Sequence, residues 1–294
     1  MHGLGNDFVI VDCREQPLSI DTAAIRRLGD RHFGVGFDQL LTIEPARNAD
    51  CAFAYGIWNT DGSRALQCGN GVRCVARWLA RAGLLADTGS TRLESPSGPV
   101  AVELLADGRV RADMGEPGFA PMSNDAAKGR TDSLPLHSGG RCPEGGWGQA
   151  PSDTESLSYV IDVAGHDIEI GAVSMGNPHA VVAVDNVDDA PVEALGPQIE
   201  HADAFPEGCN VGFAELRSRR AIRLRVWERG VGETLACGSG ACAAVAVLRR
   251  RGSVDTDVTV ALPGGELEIS WAGPGATLWM TGPAAFVFEG EWHG

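Results

Sequence analysis

The chain has 294 residues, 44% of them hydrophobic, which suits one large domain or two of ordinary size. Acidic residues outnumber basic ones 39 to 24, and the net charge of −15 opposes binding to nucleic acid or to an anionic membrane. The longest strictly apolar run, residues 241–248, is far too short to span a bilayer, and no leader-like segment is visible, so a cytoplasmic protein is expected.

In chain order, "DFVIVD" (7–12) reads as a strand. "GVGFDQLL" (34–41) and Trp58-Asn59 follow, and then Cys68 stands directly before Gly69, Asn70 and Gly71. Val72, Val75, Ala76 and Leu79 recur at helical spacing, with Arg77 and Arg81 late and Gly83 as a stop, which predicts one helix. Strand patterning resumes in "VAVELLADGRVRADM" (100–114). The stretch 118–156 is rich in Gly, Pro and Ser and reads as a linker or loop. "GNPHAVVAVD" (176–185) is again strand-like. Cys237 then precedes Gly238, Ser239 and Gly240, and Ala241, Ala244, Val245 and Leu248 mark a second helix ending in Arg249–Arg251 and Gly252. "TVALPGGELEISWAG" (259–273) carries more strand, and "AAFVFEGEW" (284–292) is expected to close the fold as a strand.

The chain therefore reads as written twice. Asn177 repeats Asn6 and Asn210 repeats Gln39, each 171 residues on; Trp227-Glu228 repeats Trp58-Asn59 and Cys237 repeats Cys68, each 169 on; "MTGP" (280–283) echoes "MGEP" (114–117). Matches that keep their order across more than a hundred residues predict an α/β protein of two pseudo-symmetric halves, each mostly strand around one or two helices.

Both repeats put a thiol at a helix start. Free N–H groups and the positive end of the helix dipole favour thiolate over thiol there, so Cys68 and Cys237 are expected to titrate early. The same N–H groups hold a carboxylate, and the small residues beside them let a ligand approach. Halves packed face to face would put one thiol on each side of the carbon bearing that carboxylate. That arrangement suits inversion at the α-carbon of an amino acid, one thiolate removing a proton and the opposite thiol returning one. The other cysteines, Cys13, Cys51, Cys74, Cys142, Cys209 and Cys242, read as small buried hydrophobes, and the spacings suggest neither a metal site nor a disulfide framework.

The segments "GLGNDF", "GFDQLL", "NTDGSRALQCGNGVRC", "SMGNPHAV", "ERGVGETLACGSGACAA" and "LPGG" resemble diaminopimelate epimerase from residue 3 to about 288, broken by the linker. The resemblance implies two similar α/β domains, each a barrel-like, mostly antiparallel sheet around a central helix. It also implies a homodimer and a pyridoxal-phosphate-independent reaction without cofactor or metal, interconverting LL- and meso-diaminopimelate for lysine and peptidoglycan synthesis. By that likeness residues 284–294 return to the N-terminal half, giving 1–117 with 284–294, the linker 118–156, and 157–283. Cys68 and Cys237 match the acid/base pair. Gly69, Asn70, Gly238 and Ser239 match the holders of the reacting carboxylate. Asn6, Gln39, Asn59, Asn177, Asn210, Glu228 and Arg229 match the other substrate contacts, with Arg229 suited to the distal carboxylate. His179 and Glu228 match groups that tune the thiols. The motif opens at Met1, where the family usually carries a few residues first, so either the start is assigned late or the first strand is short.

Three alternatives remain at this level. A proline racemase or hydroxyproline epimerase shares the thiol pair but needs no set such as Asn59, Asn177, Asn210 and Arg229. A thiol redox protein would cycle a Cys68–Cys237 disulfide and would not need two anion sites. A non-catalytic amino-acid-binding protein would need no cysteine at either helix start.

Overall fold

The computed structural model describes residues 1–16, 21–119 and 158–293. The chain divides into two units, Met1–Asp113 with Thr281–Gly294, and Met114–Met280. The predicted linker 118–156 lies outside the described residues, apart from Gly118 and Phe119.

The first unit runs β1 (His2–Gly3), β2 (Asn6–Asp12), α1 (Thr22–Gly29), β3 (Gln39–Glu44), β4 (Phe53–Asn59), α2 (Gly69–Arg81), β5 (Gly89–Ser95), β6 (Gly98–Leu104) and β7 (Val110–Asp113). Its strands lie side by side in sequence order. Only the pairs bridged by a helix, β2 with β3 and β4 with β5, are parallel; the rest are antiparallel. This follows from chain geometry, because a tight turn reverses a strand whereas a parallel neighbour needs a crossover. Helix α2 touches β1, β2 and β3 as well as β6 and β7, so the sheet curls around it.

The second unit repeats this plan with β8 (Tyr159–Val163), β9 (His166–Ser174), β10 (Pro178–Val184), α3 (Val192–Glu200), β11 (Asn210–Ser218), β12 (Ala221–Glu228), β13 (Gly232–Thr234), α4 (Gly238–Arg250), β14 (Asp257–Leu262), β15 (Gly265–Ser270) and β16 (Trp279–Gly282). The helix-bridged pairs, β10 with β11 and β12 with β14, are again the parallel ones. The registers match residue for residue: Phe8 lies beside Gln39, and His179, 171 residues on, lies beside Asn210. Helix α4 packs on β9, β10, β11, β12 and β15.

The central helices end by the same device. Gly83 (φ +71°) and Gly252 (φ +72°) adopt the left-handed conformation just past the last turn. Gly83 N–H donates to Ala80 O and Leu84 N–H to Leu79 O; Gly252 N–H donates to Arg249 O and Ser253 N–H to Leu248 O. Both are Schellman endings, which a Cβ at the glycine would strain. The apolar faces are wholly enclosed: Val75, Ala76 and Leu79 in α2, and Ala241, Ala244 and Val245 in α4, have no exposed surface. Burying a leucine such as Leu79 stabilises by about 1.5–3 kcal/mol. No helix among the described residues is long and apolar enough to cross a membrane.

The expected closing strand over 284–292 is not formed. Ala285 makes a single antiparallel bridge to His2, exchanging both backbone hydrogen bonds at 2.9 Å, and the following residues are irregular. The partner edge is too short to extend the pairing, because β1 is only two residues long, and Pro283 has no N–H to donate.

Helix α3 packs so closely on β12 that a Cβ on Gly196 would lie 2.6 Å from Trp227 Cγ. Gly196→Ala should therefore destabilise the protein by about 1–3 kcal/mol through overpacking. Urea denaturation followed by tryptophan fluorescence measures this; an unchanged midpoint would refute the close fit.

Candidate active site

In each unit the residues singled out by the sequence gather at one end of the sheet. Asn6 opens β2, Gln39 opens β3, Asn59 ends β4, and Gly69 and Asn70 form the first turn of α2. Correspondingly Asn177 precedes β10, Asn210 opens β11, Glu228 ends β12, and Gly238 and Ser239 form the first turn of α4. The repeated register carries this convergence, since parallel starts and the antiparallel end meet where the central helix begins.

Cys68 is the N-cap of α2, in an extended conformation (φ −149°, ψ 108°), and its Sγ accepts the Gly71 N–H at 3.4 Å. That thiol sulfur takes the place usually filled by a Ser or Asp oxygen. The thiol itself reaches Asn6 Oδ1 at 3.8 Å, and Asn70 Nδ2 donates to the same oxygen at 3.3 Å. Asn6 Nδ2 donates to Asp38 Oδ2 at 2.9 Å. Gln39 Nε2 donates to Asn59 Oδ1 at 3.0 Å, and Asn59 Nδ2 to Ser63 Oγ at 3.0 Å. Gln39 Oε1 is buried with no hydrogen-bond partner among the described residues. Unsatisfied buried acceptors are costly, so this oxygen is a ready contact for a donor on a ligand.

Cys237 is the N-cap of α4 in a similar conformation (φ −110°, ψ 109°), with Sγ 3.6 Å from Ser239 Oγ. Glu228 accepts from Thr234 Oγ1 at 2.5 Å. Arg229 is held at both ends: its backbone N–H donates to Asn210 Oδ1 at 3.0 Å and its Nη1 to Glu207 O at 3.0 Å. His179 is buried, with Nε2 3.0 Å from Asn177 Oδ1. The amide oxygen can only accept, so Nε2 carries the proton in this contact.

The expectation of two early-titrating thiols fails at Cys237. Burial, followed by the neighbouring Glu228 carboxylate, pushes its thiol well above the usual range, outweighing the hydrogen bonds that act the other way. Burial, assisted by the Arg229 cation, brings His179 down to about 3, so it is a neutral imidazole at physiological pH. Glu228 thus acts directly on the charge balance of Cys237, whereas the His179 ring hydrogen-bonds to Asn177. Cys74 is pushed up to about 12 by burial. Together with Cys13, Cys51, Cys209 and Cys242 it is buried, as expected; Cys142 lies outside the described residues.

Several residues of the site escaped sequence reasoning. Arg73 is fully buried and donates to Gly69 O at 3.2 Å, Asn70 Oδ1 at 3.0 Å and Pro283 O at 3.3 Å, which stiffens the start of α2. Asp38, Thr234 and Glu200 also support site residues. Only a charged residue inside an apolar helical run hinted at Arg73; two of its partners lie in the same helix turn, and the third, Pro283, comes from a distant part of the chain.

Two outcomes follow. Iodoacetamide at neutral pH should alkylate the half-buried Cys68 at least about tenfold faster than the enclosed, proton-retaining Cys237; peptide mass spectrometry reads the order, and equal rates would contradict it. Glu228→Gln should bring the Cys237 titration down by removing a negative neighbour, yet leave it above the ordinary thiol range because burial is the larger cause. Ultraviolet thiolate absorbance against pH measures this, and an unmoved titration would show that the carboxylate does not reach the thiol.

The sequence model of the family described as diaminopimelate epimerase matches residues 1–120 and 171–287. A relative from Xanthomonas campestris pv. campestris, named diaminopimelate epimerase, is 50% identical over all of this chain and 95% of its own length. One of the same name from Stutzerimonas stutzeri is 46% identical over 99% of this chain and 96% of its own. Among solved structures, a hydroxyproline epimerase from Agrobacterium vitis superposes with a TM-score of 0.63 at 17% identity, covering 96% of this chain and 87% of that one. A probable proline racemase from Agrobacterium radiobacter gives a TM-score of 0.60 at 18% identity, covering 88% and 77%. These structures share the fold, a pair of duplicated α/β units. Full-length identity near one half, with the matched motifs standing at the two capped helix starts, places the chain in the diaminopimelate epimerase family.

Proposed function

We propose that the chain is an isomerase that interconverts LL- and meso-diaminopimelate by a two-base mechanism, with Cys68 and Cys237 as the acid/base pair. The observation that carries the residue assignment is the equivalence of the two thiols. Each is the N-cap of the enclosed central helix of its unit, at the end where the polar strand-end residues converge. The full-length likeness to proteins named diaminopimelate epimerase supports the substrate.

In the forward direction one cysteine, as thiolate, takes the α-proton, and the other, as thiol, delivers a proton to the opposite face. In the reverse direction the roles exchange. The negative charge that develops on the substrate carboxylate is met by the N–H groups of Gly69 and Asn70 and of Gly238 and Ser239, donors fixed before the substrate arrives. Burial and the Glu228 carboxylate disfavour thiolate at Cys237. Substrate binding brings an ammonium group that offsets the Glu228 charge. Asn6, Gln39, Asn59, Asn177 and Asn210 orient the amino acid, and Arg229 pairs with the distal carboxylate. The reaction uses no pyridoxal phosphate and no metal. The protein acts on the free amino acid in the cytoplasm, as a homodimer, in lysine and peptidoglycan-precursor synthesis.

The decisive experiment is proton NMR of LL-diaminopimelate in deuterated water with enzyme and reductant. The α-proton signal should decline as deuterium appears in a meso product. Cys68→Ala and Cys237→Ala should each lower the rate by about 10³-fold or more. No exchange by protein with free thiols would exclude this substrate and turn the test to proline and hydroxyproline. Activity that survives loss of either thiol would exclude the two-base mechanism.

A further inference from the structure

The duplication offers an internal comparison at the turn carrying Glu228 and Arg229. In the second unit, Glu200 at the end of α3 is buried, with 5% of its surface exposed. Its carboxylate takes two hydrogen bonds from opposite sides of that turn: Trp227 Nε1–H donates to Oε2 at 2.7 Å, and Gly230 N–H donates to Oε1 at 2.9 Å. The exposed His201 ring approaches Oε1 at 3.9 Å. Residues 228 and 229 therefore sit between two anchors on a single carboxylate.

The first unit builds the same turn without this clamp. Val231 N–H donates to Glu228 O in one half, and Gly62 N–H to Asn59 O in the other. Gly29 stands where Glu200 would repeat, and a Cβ there would already lie 3.1 Å from Thr60 Cγ2. Trp58, the counterpart of Trp227, has a buried Nε1 with no hydrogen-bond partner among the described residues. The outer side of that turn is tied instead by exposed Arg26, whose Nε donates to Asp61 O at 3.0 Å. The turn thus forms without a buried carboxylate. One is found only in the half whose turn carries Glu228 and Arg229, in place of Asn59 and Thr60.

We propose that Glu200 is a positioning residue, whose carboxylate fixes the Trp227–Gly230 turn so that Arg229 meets the distal carboxylate of the substrate in a preset direction. The inference rests on the function proposed above. Glu228 is held by Thr234, and Arg229 by Asn210 and Glu207, but the Asn210 and Glu207 bonds leave the direction of the turn to Glu200, so loosening the clamp acts on how Arg229 is presented and on substrate affinity. A buried, doubly bonded carboxylate is also costly to retain unless both donors are satisfied, which keeps the turn in one arrangement.

The test is steady-state kinetics on wild type, Glu200→Gln and Glu200→Asp with diaminopimelate, alongside thermal melting. The glutamine amide can accept one of the two bonds but offers a donor to the other, so one anchor is lost without changing volume. The aspartate keeps the charge and shortens the reach. Each should raise KM about tenfold while kcat stays within about threefold, since misplacing a binding group weakens recognition more than chemistry. Folded variants with unchanged KM would overturn the proposal. So would a fall in kcat that tracks a lowered Tm, the mark of a merely structural role. If Glu200→Gln fails to fold, Glu200→Asp decides on the same KM-against-kcat split. An inactive wild type would refute the assigned function itself, separately from the clamp.

Discussion

The central helix of each unit begins at a cysteine, and the arrangement around it follows from that start. Both cap residues are in extended conformation, which places each side chain beside the first free N–H groups of its helix. At Cys68 the sulfur itself accepts the Gly71 N–H. Gly-x-Gly immediately after keeps bulk away from the exposed N–H groups. At the far end, a glycine in left-handed conformation stops the helix, and the sheet curls around the enclosed length between. The thiol is thus carried by the most buried element of its unit.

Duplication supplied two such sites, and substitution then made them chemically different. Asn59 in one half answers Glu228 in the other, and Asn70 answers Ser239. Cys68 therefore lies among neutral amides, with Arg73 buried behind Asn70, whereas Cys237 lies against a carboxylate in a closed environment. A helix dipole contributes on the order of a kilocalorie per mole at a partly buried site. Full burial of an ionising group costs more than that, which is why the second thiol holds its proton more tightly than its helix position alone suggests. A reaction that needs one thiolate and one thiol is served by such a difference.

The parts of this picture that were legible in the sequence are local. Apolar spacing, late arginines and a terminal glycine located both central helices, and fixed offsets between Asn6, Gln39, Cys68 and their repeats revealed the duplication. The crossover helices α1 and α3 were less visible. Each spans fewer than ten residues, one lies among polar residues, and the other contains Pro197. The final apolar run looked like a strand by composition, but strand formation needs an edge of matching length, and β1 offers two residues.

By itself the sequence determined the fold class, the twofold plan, the helix starts and the identity of the two thiols, because these depend on periodicity and on residues adjacent in the chain. Tertiary structure alone decided how each thiol is buried, that His179 is neutral, and that Arg73, Thr234 and Glu200 support the site. Those properties arise between residues up to 210 positions apart, as in the bond from Arg73 to Pro283. Burial and hydrogen-bond partnership are set by which distant segments fold together, and no pattern of neighbours along the chain encodes that.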